Sequence, residues 1–202
     1  SNGVPYPILV FAAMLPWQFF ANSLSESSNA LLANSNMLTK VYFPRLIMPT
    51  SAVIVSFVDF LISFSILIVL MVWFRFIPTF RILTLPLFLL LALVASLGIG
   101  FWLSALNVKY RDFRYIVPFI VQFGLYISPV GFSSSIVPQH WRLLYSLNPM
   151  VGVIDGFRWA ILGGNSMIYW PGFLLSCSIS IIFFIYGLWY FRKMEQTFAD
   201  VI

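Results

Sequence analysis

The stretch Pro49–Phe74, PTSAVIVSFVDFLISFSILIVLMVWF, decides the fold, because it is apolar apart from a few hydroxyl groups and one charged residue, Asp59. A helix that crosses a hydrocarbon core about 30 Å thick needs about 20 consecutive, mostly apolar residues. Backbone polar groups inside lipid must be hydrogen-bonded within their own segment, which an α-helix achieves. The stretch therefore predicts a membrane-spanning helix.

Further apolar runs repeat this pattern along the chain: Pro7–Leu32, Leu83–Leu106, Tyr115–Phe132 and Trp170–Phe191. Hydrophobic residues make up 61% of the 202 residues and charged residues 8%, against about 45–50% and about 25% in soluble domains. We therefore expect one transmembrane domain over residues 1–202, an all-α integral membrane bundle with five spans.

The basic residues of the loops predict the orientation of the bundle. One side carries Lys40, Arg45, Lys109, Arg111, Arg114, Arg192 and Lys193, and the other carries Arg75, Arg81, Arg142 and Arg158. Cytoplasmic loops are enriched in Lys and Arg, so the first side is predicted to be cytoplasmic. The net charge of +5 is then explained by topology, and no nucleic-acid partner is expected.

The segment 133–169, between the last two predicted spans, is expected to form a re-entrant helical hairpin on the outer side. Two short apolar stretches, Pro138–Leu147 and Met150–Leu162, are separated by Asn148 and Pro149. Proline is poorly tolerated inside a helix, so the two stretches should be separate helices. Apolar stretches of this length are typical of interfacial or re-entrant segments.

Polar residues recur at helical spacing on one face of the first predicted span: Gln18, Asn22, Ser25 and Asn29. Polar groups inside a membrane are kept away from lipid, so this face either bonds neighbouring helices or lines a hydrated path. A second such face on the next span contains Ser56, Asp59 and Ser63. The carboxylate of Asp59 needs a partner or water there.

Aromatic residues form a face on the fourth predicted span: Tyr115, Phe119, Phe123 and Tyr126. Such side chains can stack on sugar rings and hydrogen-bond their hydroxyls. The same face can instead contact lipid or fill the interior of the bundle. The sequence leaves these alternatives open.

Small residues spaced four apart occur in the third and fifth predicted spans: Ala92, Ser96, Gly100 and Ser104, then Gly172, Ser176 and Ser180. Small side chains let two helices approach closely inside a membrane. These faces predict helix packing and carry no chemistry.

The sequence lacks the motifs of the common catalytic and nucleotide-binding sites. It contains no G-x-x-x-x-G-K-[ST] and no H-E-x-x-H pattern, and Cys177 and His140 are the only residues of their types. We therefore expect no catalytic residue, metal or cofactor in this chain, and any ATP must be bound by another subunit. Two loops, Asn34–Ile47 and Asn107–Arg114, mix basic and aromatic residues, which is typical of a docking surface.

Four stretches together resemble a known family. They are Leu15–Phe20 (LPWQFF), Lys40–Arg45 (KVYFPR), Asn107–Asp112 (NVKYRD) running on to Ser128–Val130 (SPV), and Leu147–Pro149 (LNP) running through Arg158 to Gly163 and Gly164. In this order and spacing the chain resembles the membrane subunit of type-2 ABC exporters of the polysaccharide and polyol phosphate export family. Permeases for lipopolysaccharide O-antigen, capsule and teichoic acid belong to that family.

The resemblance implies a homodimeric permease in the bacterial inner membrane that exports a lipid-linked polysaccharide. Two partner subunits would bind ATP and Mg²⁺ and hydrolyse the ATP. The family has six spans and an N-terminal amphipathic helix, so this chain is expected to be truncated at its N-terminus. By resemblance, the residues that couple to the ATPase are Lys40, Tyr42, Phe43, Arg45, Lys109, Arg111 and Asp112, and those that line the substrate channel are Gln18, Asn22, Ser25, Tyr115, Phe119, Phe123 and Tyr126.

The hairpin at 133–169 corresponds by resemblance to the outer gate of the family. Its candidate gate residues are Asn148, Pro149, Asp155 and Arg158. Asp155 and Arg158 lie three residues apart, so their side chains share a helix face and can pair. The alternative is a lid that only packs on the bundle.

Two other functions remain as alternatives. A membrane-embedded transferase acting on lipid-linked sugars would need a cluster of His, Asp or Glu, which the scattered acidic residues and the one histidine disfavour. A type-2 exporter of drugs or small lipids is separated from a polysaccharide exporter only by the family resemblance.

Overall fold

The computed structural model describes residues 5–35, 44–110, 112–163, 168–196 and 198. Within these ranges the chain forms seven α-helices: α1 (Tyr6–Ala33), α2 (Ile47–Trp73), α3 (Leu85–Lys109), α4 (Phe113–Ile127), α5 (Gln139–Tyr145), α6 (Pro149–Leu162) and α7 (Trp170–Glu195). Two short 3₁₀ helices, Phe80–Thr84 and Ser134–Ile136, lie in the connections. The described ranges contain no strand, and the predicted all-α membrane bundle is confirmed.

Among the described residues, four helical segments are long and apolar enough to cross a membrane: Tyr6–Ala33, Ile47–Trp73, Phe80–Lys109 and Trp170–Glu195. The fourth predicted span is shorter than expected. Helix α4 has 15 residues and ends at Ile127, which gives a length of about 22 Å. Ser128 is extended, with ψ 151°, because a residue that precedes proline is disfavoured in the helical region. Residues 128–132 therefore form a turn instead of a last stretch of helix.

Helix α1 lies at the centre of the bundle and is the most buried of the four candidate spans. It packs against α2, α3, α4 and α6, while α3 and α7 form another long helix pair. The outer face of α2 is exposed and apolar, with Ile54, Val58 and Ile62 about half exposed or more. Exposed apolar side chains are expected in a protein that is surrounded by lipid, since their contact with the hydrocarbon carries no hydrophobic cost in free energy.

The predicted small-residue faces pack as expected. Ala92, Ser96, Gly100 and Ser104 are buried on α3, and Gly172, Ser176 and Ser180 are buried on α7. The closest approach of the two helices occurs elsewhere, at Gly98 and Gly187. A Cβ atom added at Gly98 would lie 2.5 Å from the Cα of Phe184, so only hydrogen fits there.

The two short helices of the segment 133–169 form where they were predicted. Asn148 separates them and caps α6, because its side-chain oxygen accepts a hydrogen bond of 3.0 Å from the backbone N–H of Met150. Pro149 occupies the first position of α6, where its missing N–H costs nothing. Gly163 ends α6 with a φ of 59°, a conformation that glycine adopts without steric cost.

Candidate substrate path and contact residues

The aromatic face of α4 points away from the other described residues of the chain. Tyr115, Phe119, Phe123 and Tyr126 are 67%, 63%, 56% and 73% exposed. The opposite face of α4 is covered, with Val117 fully buried and Gly124 under the indole ring of Trp17. The described residues of this chain therefore do not cover the aromatic face.

The exposed surface of α4 is wider than the aromatic residues alone. Ile116, Ile120 and Ile127 are also exposed on this helix. The rings of Phe119 and Phe123 stack with centroids 5.7 Å apart and planes at 25°. Together these side chains form a broad apolar surface that a second protein copy, a sugar chain or lipid can contact.

The polar face of α1 divides into an open part and a packed part. Gln18 is exposed and donates a hydrogen bond of 2.9 Å to the side-chain oxygen of Asn22. Asn29, in contrast, is tied to α3, because the Nδ2 of Asn107 donates to its Oδ1 at 3.0 Å. Ser25 is half-buried, and its carbonyl accepts from the Nδ2 of Asn29 at 3.1 Å. Asn29 is therefore explained as a contact between helices. The amides of Gln18 and Asn22, in contrast, contribute polar groups to the open part of the face.

The structure places the two predicted channel faces on neighbouring helices. Trp17 of α1 packs on Gly124 of α4, and Gln18 follows Trp17 directly in the chain. The face of α1 that carries Gln18 and Asn22 therefore begins next to the contact between α1 and α4.

The second polar face, on α2, does not form one continuous surface. Ser56 is buried, and its hydroxyl donates to the carbonyl of Ala52 at 3.1 Å within the same helix. Asp59 is exposed on the outer side of α2, and Ser63 is half-buried. The three residues therefore differ in their surroundings: the hydroxyl of Ser56 is bonded within its own helix, whereas the carboxylate of Asp59 is exposed.

Three side chains of the predicted hairpin segment bind either the last residue of α4 or the turn that follows it, and we call them the hairpin latch: Tyr145, Asn148 and Arg158. The guanidinium of Arg158 donates to the carbonyls of Phe132 and Val130 at 2.6 and 2.8 Å. The amide of Asn148 donates to the hydroxyl of Ser128 at 2.9 Å.

Tyr145 completes the hairpin latch at the last residue of α4. Its hydroxyl donates to the carbonyl of Ile127 at 2.7 Å. The last carbonyls of a helix have no partner within the helix, so this bond satisfies one of them. A tyrosine hydroxyl is already protonated near neutral pH, and burial raises the pKa of Tyr145 further above its usual value.

Asp155 and Arg158 are near each other, as their spacing predicted, but the hydrogen bonds of Arg158 go to the main chain. Burial raises the pKa of Asp155, while the hydroxyl of Ser134 and the positive charges of Arg158 and Arg142 act in the opposite direction. The Nε of Arg158 is buried and has no hydrogen-bond partner among the described residues. The guanidinium of Arg158 thus donates hydrogen bonds to two carbonyls, and its positive charge partly offsets the negative charge of the Asp155 carboxylate.

The predicted coupling residues fall into three groups. Lys40, Tyr42, Phe43 and Arg111 lie outside the described residues. Lys109 and Asp112 are exposed, and the ammonium of Lys109 lies 5.1 Å from the ring centroid of Tyr110. Arg45 is half-buried and contacts the end of α7.

Sequence analysis did not single out several residues that shape these sites: Gly98, Gly187, Tyr145 and Phe198. Gly98 lies two residues from Ser96 and Gly100 of the predicted face on α3, and Gly187 lies seven residues after Ser180 on α7. The contacts that single them out come from the other helix. In the part of the chain that the structure describes, no group of three or more His, Cys, Asp or Glu side chains could hold a metal ion.

Comparison with known proteins gives a consistent result. The model of the family described as "ABC-2 type transporter" matches residues 1–162. The chain is 26% identical over 199 residues to the O-antigen export system permease protein RfbA of Myxococcus xanthus. It is 24% and 26% identical over 204 residues to two proteins of the same name from Klebsiella pneumoniae. Each alignment covers 98% of this chain and 76% of the relative.

Proposed function

The chain belongs to the ABC-2 type transporter family, and from this premise we propose that it is the permease subunit of an ATP-driven exporter of a lipid-linked, O-antigen-like polysaccharide. The observation that carries the proposal is the similarity over 98% of the chain to three proteins named as O-antigen export permeases. The exporter would act in the bacterial inner membrane, where the glycan crosses from the cytoplasmic to the outer leaflet.

The exposed surfaces of α1 and α4 support a sugar chain as the cargo. The amides of Gln18 and Asn22 offer neutral hydrogen-bonding groups, and the rings of Phe119 and Phe123 offer apolar stacking faces. Sugars combine hydroxyl groups with apolar ring faces, so they match both kinds of surface. A metal ion would need a cluster of oxygen ligands such as carboxylates.

A second copy of this chain would complete the path. The aromatic face of α4 is exposed in one protomer, and two such faces opposite each other would enclose a channel between the copies. ATP and Mg²⁺ would be bound by separate ATPase subunits, since the sequence contains no P-loop motif. The exposed Lys109 and Asp112, with Lys40, Tyr42, Phe43 and Arg111, would contribute to the contact with these subunits.

Export in cells tests the function directly. The full-length protein, expressed with its ATPase in cells that lack their own O-antigen permease, should restore glycan at the cell surface, as measured with an antibody or lectin on intact cells. The same pair with an inactive ATPase is the control, and it should leave the glycan inside. A protein that assembles with the ATPase but restores no surface glycan would point to another cargo. Sugar transfer by the purified chain alone would indicate a transferase.

The aromatic face of α4 gives a second test. Phe123→Ala and Tyr126→Ala should each lower export about threefold and the double variant more, because a lost stacking contact costs about 0.5–1.5 kcal/mol. Export is measured as surface glycan per molecule of assembled protein.

Matched controls come from α7, where Tyr186 and Trp189 are exposed aromatic residues with ring centroids 5.9 Å apart. Alanine at these two positions should leave export unchanged. Equal losses on both helices would mean that the α4 face contacts lipid or packs, and the channel assignment would then be wrong.

A further inference from the structure

Arg45 connects two parts of the chain that are far apart in sequence. It lies just before the start of α2, yet its Nη1 donates a hydrogen bond to the carbonyl of Glu195, the last residue of α7. The final carbonyls of a helix have no partners within it, and the negative end of the helix dipole favours a cation. The guanidinium therefore acts as a cap for the last spanning helix.

A second contact holds the same guanidinium. Its central carbon lies 5.9 Å from the ring centroid of Phe198, and Phe198 is only 1% exposed. That ring packs edge-on against Phe191 of α7, with centroids 5.5 Å apart and planes at 78°. Among the described residues, the guanidinium of Arg45 thus contacts the last residue of α7 and Phe198, which follows that helix.

Phe198 belongs to an apolar cluster that is separate from the main core. We call it the end cluster, and its buried members are Ala30, Leu31, Met48, Phe101, Ala105, Val108, Phe191 and Phe198. These residues come from α1, α2, α3 and the end of α7. Close-packed interiors transmit strain, and Phe198 shares this cluster with residues of the four candidate spans.

We propose that Arg45 is a positioning residue that transmits movement of the segment before α2 to the end of α7, and that it does not itself dock the ATPase. The inference rests on the proposed function, in which the ATPase pushes on that segment. Arg45 differs from the exposed Lys109 and Asp112 because it is half-buried and its guanidinium contacts Glu195 and Phe198, which are distant in sequence.

The test separates binding of the ATPase from use of its ATP. The full-length permease and its ATPase are reconstituted in vesicles, and two quantities are measured: ATPase retained on the immobilised permease, and glycan exported per ATP hydrolysed. Arg45→Ala should keep ATPase binding within about twofold and lower export per ATP about five- to tenfold, in line with known effects of single residues on coupling.

A conservative variant and a matched control make this outcome specific. Arg45→Lys keeps the charge over Phe198 and one donor for the Glu195 carbonyl, so it should recover part of the lost export. Arg192→Ala removes an exposed cation from the last turn of α7. It should change neither the amount of ATPase retained nor the glycan exported per ATP. Parent-like export per ATP in Arg45→Ala, or a loss of ATPase binding that accounts for the loss of export, would overturn the proposal.

A double-mutant cycle checks the route through the ring. If Arg45 acts through Phe198, Phe198→Ala alone should lower export per ATP, and adding Arg45→Ala should cost little more, because residues in one network are not additive. If the losses of export per ATP in the two single variants were fully additive in the double variant, Arg45 would not act through Phe198. If the parent protein neither binds the ATPase nor exports glycan, the proposed function fails, and this outcome is distinct from every result for the Arg45 variants.

Discussion

Gly187→Val should prevent assembly of the bundle. A Cβ atom at position 187 would overlap the carbonyl oxygen of Gly98 on the facing helix, and a backbone atom cannot move aside as a side chain can. Helix propensity alone predicts the opposite sign, since replacing glycine in a helix interior normally stabilises it by about 0.5–1 kcal/mol. Overpacking typically costs about 1–3 kcal/mol of folding free energy. We expect Gly187→Val to cost at least the upper value, because the branched side chain would press on backbone atoms.

The measurement is the yield of monodisperse protein in detergent and its thermal midpoint, for Gly187→Val and Gly98→Val. Both variants should lose most of the assembled protein, whereas Gly187→Ala should be intermediate. Gly131→Ala is the matched control, because a Cβ atom at Gly131 meets nothing within 4 Å. If Gly187→Val assembled and melted like the parent protein, the close contact of α3 and α7 would be wrong.

Arg158→Ala should cost about 3–5 kcal/mol of folding free energy, the range measured when one partner of a buried charged network is removed. The change leaves the carbonyls of Val130 and Phe132 without their donor and removes the positive charge near Asp155. Arg158→Lys should be intermediate, because one ammonium group cannot reproduce the planar fork that reaches both carbonyls. The thermal midpoint and the yield of folded protein measure the loss.

The conservative variant also tests whether the hairpin is a gate. Arg158→Lys and Asp155→Ala weaken the hold on the hairpin, so assembled protein in vesicles without substrate should leak more ions than the parent protein. Arg75→Ala, which removes an exposed arginine after α2, should stay as tight as the parent. If Arg158→Lys and Asp155→Ala assembled normally and did not leak, the hairpin segment would only pack on the bundle.

The sequence was sufficient for the elements that depend on local patterns. Long apolar runs predicted the spanning helices, because lipid forces the backbone to bond within each segment. Asn148 and Pro149 predicted the break between α5 and α6, since both act on the nearest turn of backbone. The fourth span was predicted too long, because the composition of residues 115–132 stays apolar while the turn at Ser128 depends on the proline that follows it.

The candidate functional residues also divide into features that the sequence predicted and features that only the tertiary structure showed. Helical spacing alone placed Tyr115, Phe119, Phe123 and Tyr126 on one face, but only the tertiary structure showed that this face is exposed. The sequence grouped Arg45 with residues of a docking surface, and the structure shows it bonded to Glu195, 150 positions away. The contact between Gly98 and Gly187 is likewise absent from any local pattern.

The sequence by itself determined that this protein is a bundle of membrane helices and which stripes of side chains each helix carries, because both follow from residue order within one helix. The tertiary structure alone decided which stripes are buried, where α3 and α7 touch, and that Arg158 holds the turn after α4 and Arg45 the end of α7. These features depend on how helices distant in sequence approach one another, and that is set by the sum of many side-chain contacts across the bundle.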